Sequence, residues 1–204
     1  MLFARPTILR TRTSLATFLS ILASMLVLTV TGAGPAFAFA GDLDPTFGSA
    51  GTVVTDIAGN DLGRGVALLP DGRIVAVGTS VLTALEYDIE VAVYLPSGAL
   101  DPSFSVDGKL TIDNADYDFG EAVDVMTEGG NQKIIIGGCT STALNNGGTS
   151  GVALAHDDTC GTGGQMLVAK VDVTSGALDT SFDADGIAQT TTPLIDAAGY
   201  AVVV

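Results

Sequence analysis

Histidine occurs once in the 204 residues, cysteine twice, and lysine plus arginine only eight times. Each scarcity closes off a class of chemistry. A lone His156 cannot anchor a zinc centre of several imidazoles, and two thiols cannot supply a multi-cysteine site. Eight cations against 23 acidic residues leave no basic patch for phosphate backbones or anionic lipid, since both need clustered Lys or Arg. No glycine is followed by Lys-Ser or Lys-Thr, so Gly147-Gly148 and Gly163-Gly164 read as flexible loop and not as a phosphate cradle. Beyond Ala40 there is no helical period, and no apolar run long enough to span a bilayer.

The N-terminal stretch, Met1 to Ala40, stands apart. Arg5, Arg10 and Arg12 make a basic start, and Leu15 to Val30 is apolar apart from Thr and Ser. Ala36-Phe37-Ala38 and Ala38-Phe39-Ala40 both offer small-x-small cleavage sites. This is the pattern of a secretory signal peptide over 1–40, and without a twin-arginine pair it points to the general export route. The expected localisation is secreted or cell-surface, with the periplasm as the bacterial variant. All 23 acidic residues and five of the eight basic ones lie beyond the leader, so the mature part carries a net charge of −18.

What the chain does have is repetition. Leu43-Asp44-Pro45-Thr46-Phe47-Gly48 returns as Ser97-Gly98-Ala99-Leu100-Asp101-Pro102-Ser103-Phe104, and again as Ser175-Gly176-Ala177-Leu178-Asp179-Thr180-Ser181-Phe182. An Asp side chain can accept a hydrogen bond from the backbone two residues on, and proline after it pre-sets φ for the turn. Leu and Phe on either side would pin that turn to an apolar body. Each phrase (43–48, 97–104 and 175–182) is therefore read as a latch between strands, which accounts for every residue in it without a catalytic role for Asp.

Between the latches, short apolar runs alternate with Gly, Asp, Asn and Pro, as in an all-β protein. Strands are expected at Thr52–Thr55, Gly65–Leu69, Arg73–Gly78 and Ile89–Tyr94, with a hairpin turn at Pro70-Asp71-Gly72. The second unit repeats them at Lys109–Ile112, Ala122–Met126, Ile134–Gly138 and Leu167–Val171. A third begins at Gly186-Ile187-Ala188 and is incomplete at Val204. The step from Phe47 to Phe104 equals that from Gly63 to Gly120; Ile74 to Ile134 is slightly longer, and Ser97 to Ser175 longer still. The added residues fall in connections, most of them between Cys139 and Gln165, where they cost little. Runs such as Val66–Leu69 and Ile134–Ile136 do not alternate, so both faces of each sheet should be covered. Sheets stacked around an axis meet that demand.

The run Leu-Asp-x-Thr/Ser-Phe, an apolar strand, Pro70-Asp71-Gly72-Arg73 and Ile74-Val75-Ala76-Val77-Gly78 resembles the delta-60 repeat of exported bacterial proteins, which is similar to β-propeller blade repeats. The resemblance covers residues 41–204, and implies tandem four-stranded antiparallel blade-like repeats, a partial β-propeller. It brings no catalytic residues with it. The second repeat departs from the pattern: Thr127–Gln132 replaces the Pro-Asp-Gly turn, and Ser105 follows the phenylalanine in place of Gly. Two and a half units cannot close a ring, since propellers need at least four blades. More repeats are expected beyond Val204.

Candidate chemistry is thin. Cys139 and Cys160, an even count in an exported chain, are expected to form a disulfide closing the inserted loop. His156 with Asp157 and Asp158 lies in that loop, but no nucleophile-elbow sequence surrounds Ser150. Asp113, Asp116, Asp118 and the Asp183-Ala184-Asp185-Gly186 run have the carboxylates a calcium ion favours. The second run lacks an EF-type beginning and end, and Asp-Gly is also the ordinary turn before a strand. No catalytic, cofactor or metal residue is assigned, no cofactor is expected, and the chain is not read as an enzyme. The leading expectation is a structural or interaction scaffold with a protein or glycan partner. A carbohydrate- or peptide-binding module using Tyr87, Tyr94, Tyr117 and the Cys139–Cys160 excursion at one rim is the alternative, and a propeller hydrolase the third.

Overall fold

A computed structural model describes residues 41–83, 86–114, 117–141, 164–190 and 203. Residues 1–40, which hold the proposed leader, lie outside the described residues. So do Asp116, Ser150, His156, Asp157, Asp158 and Cys160. Among the described residues there is no helix, and the strands form one open, mixed sheet.

The first four strands are β1 (Asn60–Leu68), β2 (Ile74–Thr83), β3 (Glu86–Tyr94) and β4 (Lys109–Ile112). They pair antiparallel in that order. The Pro70-Asp71-Gly72 turn joins β1 to β2 as expected: the Gly72 N–H donates to the Leu69 carbonyl at 2.9 Å and the Arg73 N–H to Asp71 Oδ1 at 3.1 Å. Gly72 supplies the φ of +87° that closes this turn.

The next strands are β5 (Tyr117–Glu128), β6 (Asn131–Ser141) and β7 (Gln165–Asp172), with short β8 (Ala177–Leu178) and β9 (Ile187–Gln189) both pairing with β7. β5, β6, β7 and β9 form a second antiparallel group. One parallel pairing, Tyr87 with Tyr117, joins β3 to β5 and so links the two groups. The bulge between Gly63 and Gly65 in β1 recurs between Gly120 and Ala122 in β5. The glycines opposite are forced in both places. A Cβ on Gly78 would lie 2.0 Å from the Leu62 carbonyl oxygen, and one on Gly138 would lie 2.0 Å from that of Phe119.

The main core runs through both groups. Val75, Val77, Ile89, Val91 and Val93 of the first meet Ile134, Ile136, Leu167, Ala169 and Val171 of the second, with Phe104 of the middle latch fully buried among them. From Tyr87 to Val93, β3 is buried on both faces, and so is β6 from Lys133 to Ser141. β1 is not. It alternates, leaving Val66 71% and Leu68 66% exposed.

One expected strand fails to form. Thr52–Thr55 makes only isolated bridges through Thr52. Its counterpart in the next repeat is β4, which exists because β3 supplies it a ladder. Among the described residues no strand is placed to do the same for Thr52–Thr55, and Val54 is 96% exposed. An isolated extended segment gains nothing to offset its conformational entropy.

Candidate functional site

Three latches share one geometry. Asp44 Oδ1 accepts from the Thr46 N–H at 2.9 Å and from its hydroxyl at 2.7 Å. Asp101 Oδ1 does the same with Ser103 at 2.9 and 2.6 Å, and Asp179 Oδ1 with Ser181 at 3.1 and 2.6 Å. One carboxylate oxygen thus builds the turn. In the second and third latches the other oxygen takes a cation: Arg73 Nη1 lies 2.9 Å from Asp101 Oδ2, and Lys133 Nζ lies 2.9 Å from Asp179 Oδ2. Arg73 and Lys133 hold the same place in successive repeats, each immediately before the first isoleucine of its strand. Burial opposes the charge on Asp101, but the Ser103 and Arg73 bonds outweigh it and hold the carboxyl below its ordinary value. Asp179 is lowered by the Ser181 hydroxyl, then by Lys133. Asp101 and Asp179 are thus held ionised in their role as turn builders.

The outward side of the first group is different in character. Cross-strand register puts Val66 opposite Ala76, Ala76 opposite Ala92 and Gly78 opposite Glu90 on this side. The irregular Val53–Ile57 segment lies over it, enclosing a cleft of about 270 Å³ that Asp61, Leu62, Glu90 and Tyr94 also line. Tyr94 donates to Thr55 Oγ1 at 2.7 Å, tying the segment down. Glu90, 3% exposed, accepts from Ser80 at 2.9 Å, and Thr111 donates to the same carboxylate, 2.9 Å from Oε2. Burial pushes its carboxyl up to about 7; the hydroxyl bonds pull the other way, and the Asp88 and Asp61 charges add to the rise. A glutamate that burial holds close to neutrality, bonded to two hydroxyls, is a buried polar node. Both hydroxyls belong to strands that Glu90 joins.

At the other end of β3, Asp88 meets Asp113 and Asp118, each with a carboxylate oxygen within 4.8 Å of the others. Burial chiefly, then the charges of Asp113, Glu86 and Asp118, push Asp88 up to about 6. The sequence singles out Asp113 and Asp118 but not Asp88. The signal for Asp88 is the pair Asp88-x-Glu90, two acids on one face of a strand otherwise apolar. The remaining candidates separate. Asp185 Oδ1 accepts from the Ile187 N–H at 2.9 Å and Asp107 Oδ1 from Lys109 at 3.1 Å, the turn role expected of Asp-Gly. Tyr87 and Tyr117 do not sit at a rim. They are buried with Phe119 and Cys139, their rings 5.6 Å apart, and only Tyr94 reaches a cleft. Cys139 is fully buried in β6.

An open all-β sheet with latched turns and no assembled catalytic group among its described residues is the general class this geometry defines. Residues 69–104, from the end of β1 through the second latch, match the model of a family described as a β-propeller domain of unknown function (DUF5122). The match supports a β-propeller-like repeat family. No curated protein matches the chain.

Proposed function

We infer that this chain is a scaffold of an exported or surface repeat protein, and that its two antiparallel groups are consecutive propeller blades. One observation carries the reading. Val123, Val125, Ile134 and Ile136 pack into the core between the groups. By the repeat alignment their counterparts are Val66, Leu68, Ile74 and Ala76, on the outward side of the first group, where Val66 and Leu68 are mostly exposed. The positions that pack in one unit are exposed at Val66 and Leu68 in the other. An open face whose repeat-mate is an interface is best filled by another unit of the same kind, and the unpaired Thr52–Thr55 segment awaits the same neighbour. Burying Val66 and Leu68 would contribute about 2–4 kcal/mol to that docking. A carbohydrate or peptide in the Glu90 cleft is the second reading, favoured by the hydroxyl and carboxylate groups converging there.

Sedimentation of residues 41–204 tests the scaffold reading. Concentration-dependent self-association is expected, abolished by the double change Val66→Lys and Leu68→Lys with no loss of β-sheet signal in circular dichroism. A monomer with a sharp, reversible unfolding transition would refute it. Saturable binding on a glycan array, lost in Tyr94→Ala, would favour the second reading.

A further inference from the structure

We propose that Asp88, Asp113 and Asp118 form a binding site for a divalent cation of the calcium type at the junction between β3, β4 and β5. Strand register assembles it. Ile89 pairs with Ile112, so Asp113, one residue past β4, stands beside Asp88. The parallel Tyr87–Tyr117 pairing brings Asp118 alongside. Oxygens bound to one calcium at its usual bond lengths lie up to about 5 Å apart, a spacing that this trio meets.

Asp88 points to a ligand independently of the clustering. It is 3% exposed, and its Oδ1 is buried without a hydrogen-bond partner. A buried carboxylate oxygen left bare is costly, and a cation removes that cost. Among the described residues no Lys or Arg is paired with Asp88. All five Lys and Arg residues beyond the leader face other acids: Arg64 faces Glu121, Arg73 faces Asp71 and Asp101, and Lys109 faces Asp107. Lys133 faces Asp172 and Asp179, and Lys170 faces Glu128 and Asp179. Asn114, next to Asp113, is already held in place. The Asn114 N–H donates to Asp118 Oδ2 at 2.6 Å, its side-chain amide donates to Thr140 at 3.3 Å, and its Oδ1 accepts from Gln189 at 3.0 Å. Asp113 is exposed and gives an ion a way in from solvent. Carboxylate-rich oxygen sites favour calcium over magnesium, which gives up its water reluctantly.

Isothermal titration of the whole chain with calcium chloride, after treatment with a chelator, reads the site directly. One saturable event is expected, with a Kd on the order of 10⁻⁴ M, and a rise in melting temperature that the chelator reverses. Asp88→Asn should weaken binding about tenfold or more. Asp113→Asn should do so too, and as a change to an exposed side chain it leaves folding intact. Asp71→Asn should change nothing. The proposal is overturned if no saturable binding occurs up to about 10 mM calcium. It is equally overturned if Asp113→Asn binds as wild type does, or if magnesium binds as tightly, which would mean diffuse screening of an acidic protein.

Discussion

Replacing Asp101 by Asn and Arg73 by Met, singly and together, measures what the latch contributes. Asp101→Asn keeps an oxygen for the Ser103 bonds and puts an amide N–H₂ where Oδ2 now faces Arg73 at 2.9 Å. A charge-assisted bond is lost, about 2 kcal/mol. Arg73 is not orphaned, because Asp71 still lies 2.8 Å away. Arg73→Met takes the cation from a carboxylate whose side chain is 5% exposed, and should cost a similar amount. The double variant keeps the turn and has no charge to satisfy, so the costs should not add. The expected coupling is about 1–2 kcal/mol, between the values for exposed and for buried pairs. In urea followed by circular dichroism, each single change should lower the midpoint by about 1 M, for a slope near 2 kcal/mol/M. The repeat supplies a control. Asp44 makes the same turn on the surface without a basic partner among the described residues, so Asp44→Asn should move the midpoint far less. A coupling within about 0.3 kcal/mol of zero, or equal shifts at Asp44 and Asp101, would refute the latch argument.

Other consequences can be measured on the same chain. Glu90 titrates near 7 when folded against an ordinary 4.5, so folding takes up a proton between those values. Stability should therefore fall as pH rises from about 4.5 to about 7, by up to about 3 kcal/mol, and Glu90→Gln should flatten this part of a chelator-treated stability profile. Val106 is β-branched, 90% exposed and held at φ +74°. Val106→Asn should raise stability by about 1 kcal/mol, read as a higher denaturation midpoint. Mass spectrometry of the non-reduced protein should find Cys139 and Cys160 linked, and reduction should cost about 3 kcal/mol for a loop of that length.

Local chemistry made most of the fold readable. Asp followed by Pro-Thr-Phe, Pro-Ser-Phe or Thr-Ser-Phe encodes a turn within five residues, and all three turns form with Asp accepting from the residue two places on. Ser105 replaces the expected glycine and still holds φ +45°, because the surrounding turn dictates it. What escaped were the side-chain meetings set by strand contacts beyond the Pro70-Asp71-Gly72 hairpin. Asp88 looks like an interruption in an apolar strand until register sets it beside Asp113 and Asp118. Tyr87 and Tyr117 look like rim aromatics until a parallel pairing buries them together. Such meetings depend on which strand sits beside which, and one chain read in order does not contain that.

The lost Thr52–Thr55 strand and the well-formed β4 hold the same place in the repeat, so sequence preference cannot explain their different fates. The difference, among the described residues, lies in the strand each has to pair with. β4 belongs by sequence to the second repeat, yet it pairs with β3 of the first. β9 likewise follows the third latch and pairs with β7. Each latch thus carries the chain out of one group just far enough to lend it a last strand, and Phe104 is buried at the crossing. If the groups are blades, every interface is held twice, by stacked apolar faces and by a strand borrowed from the next repeat. A neighbour docked on Val66 and Leu68 would then also present the ladder that Thr52–Thr55 lacks. Ordering of that segment and burial of that face should occur together or not at all.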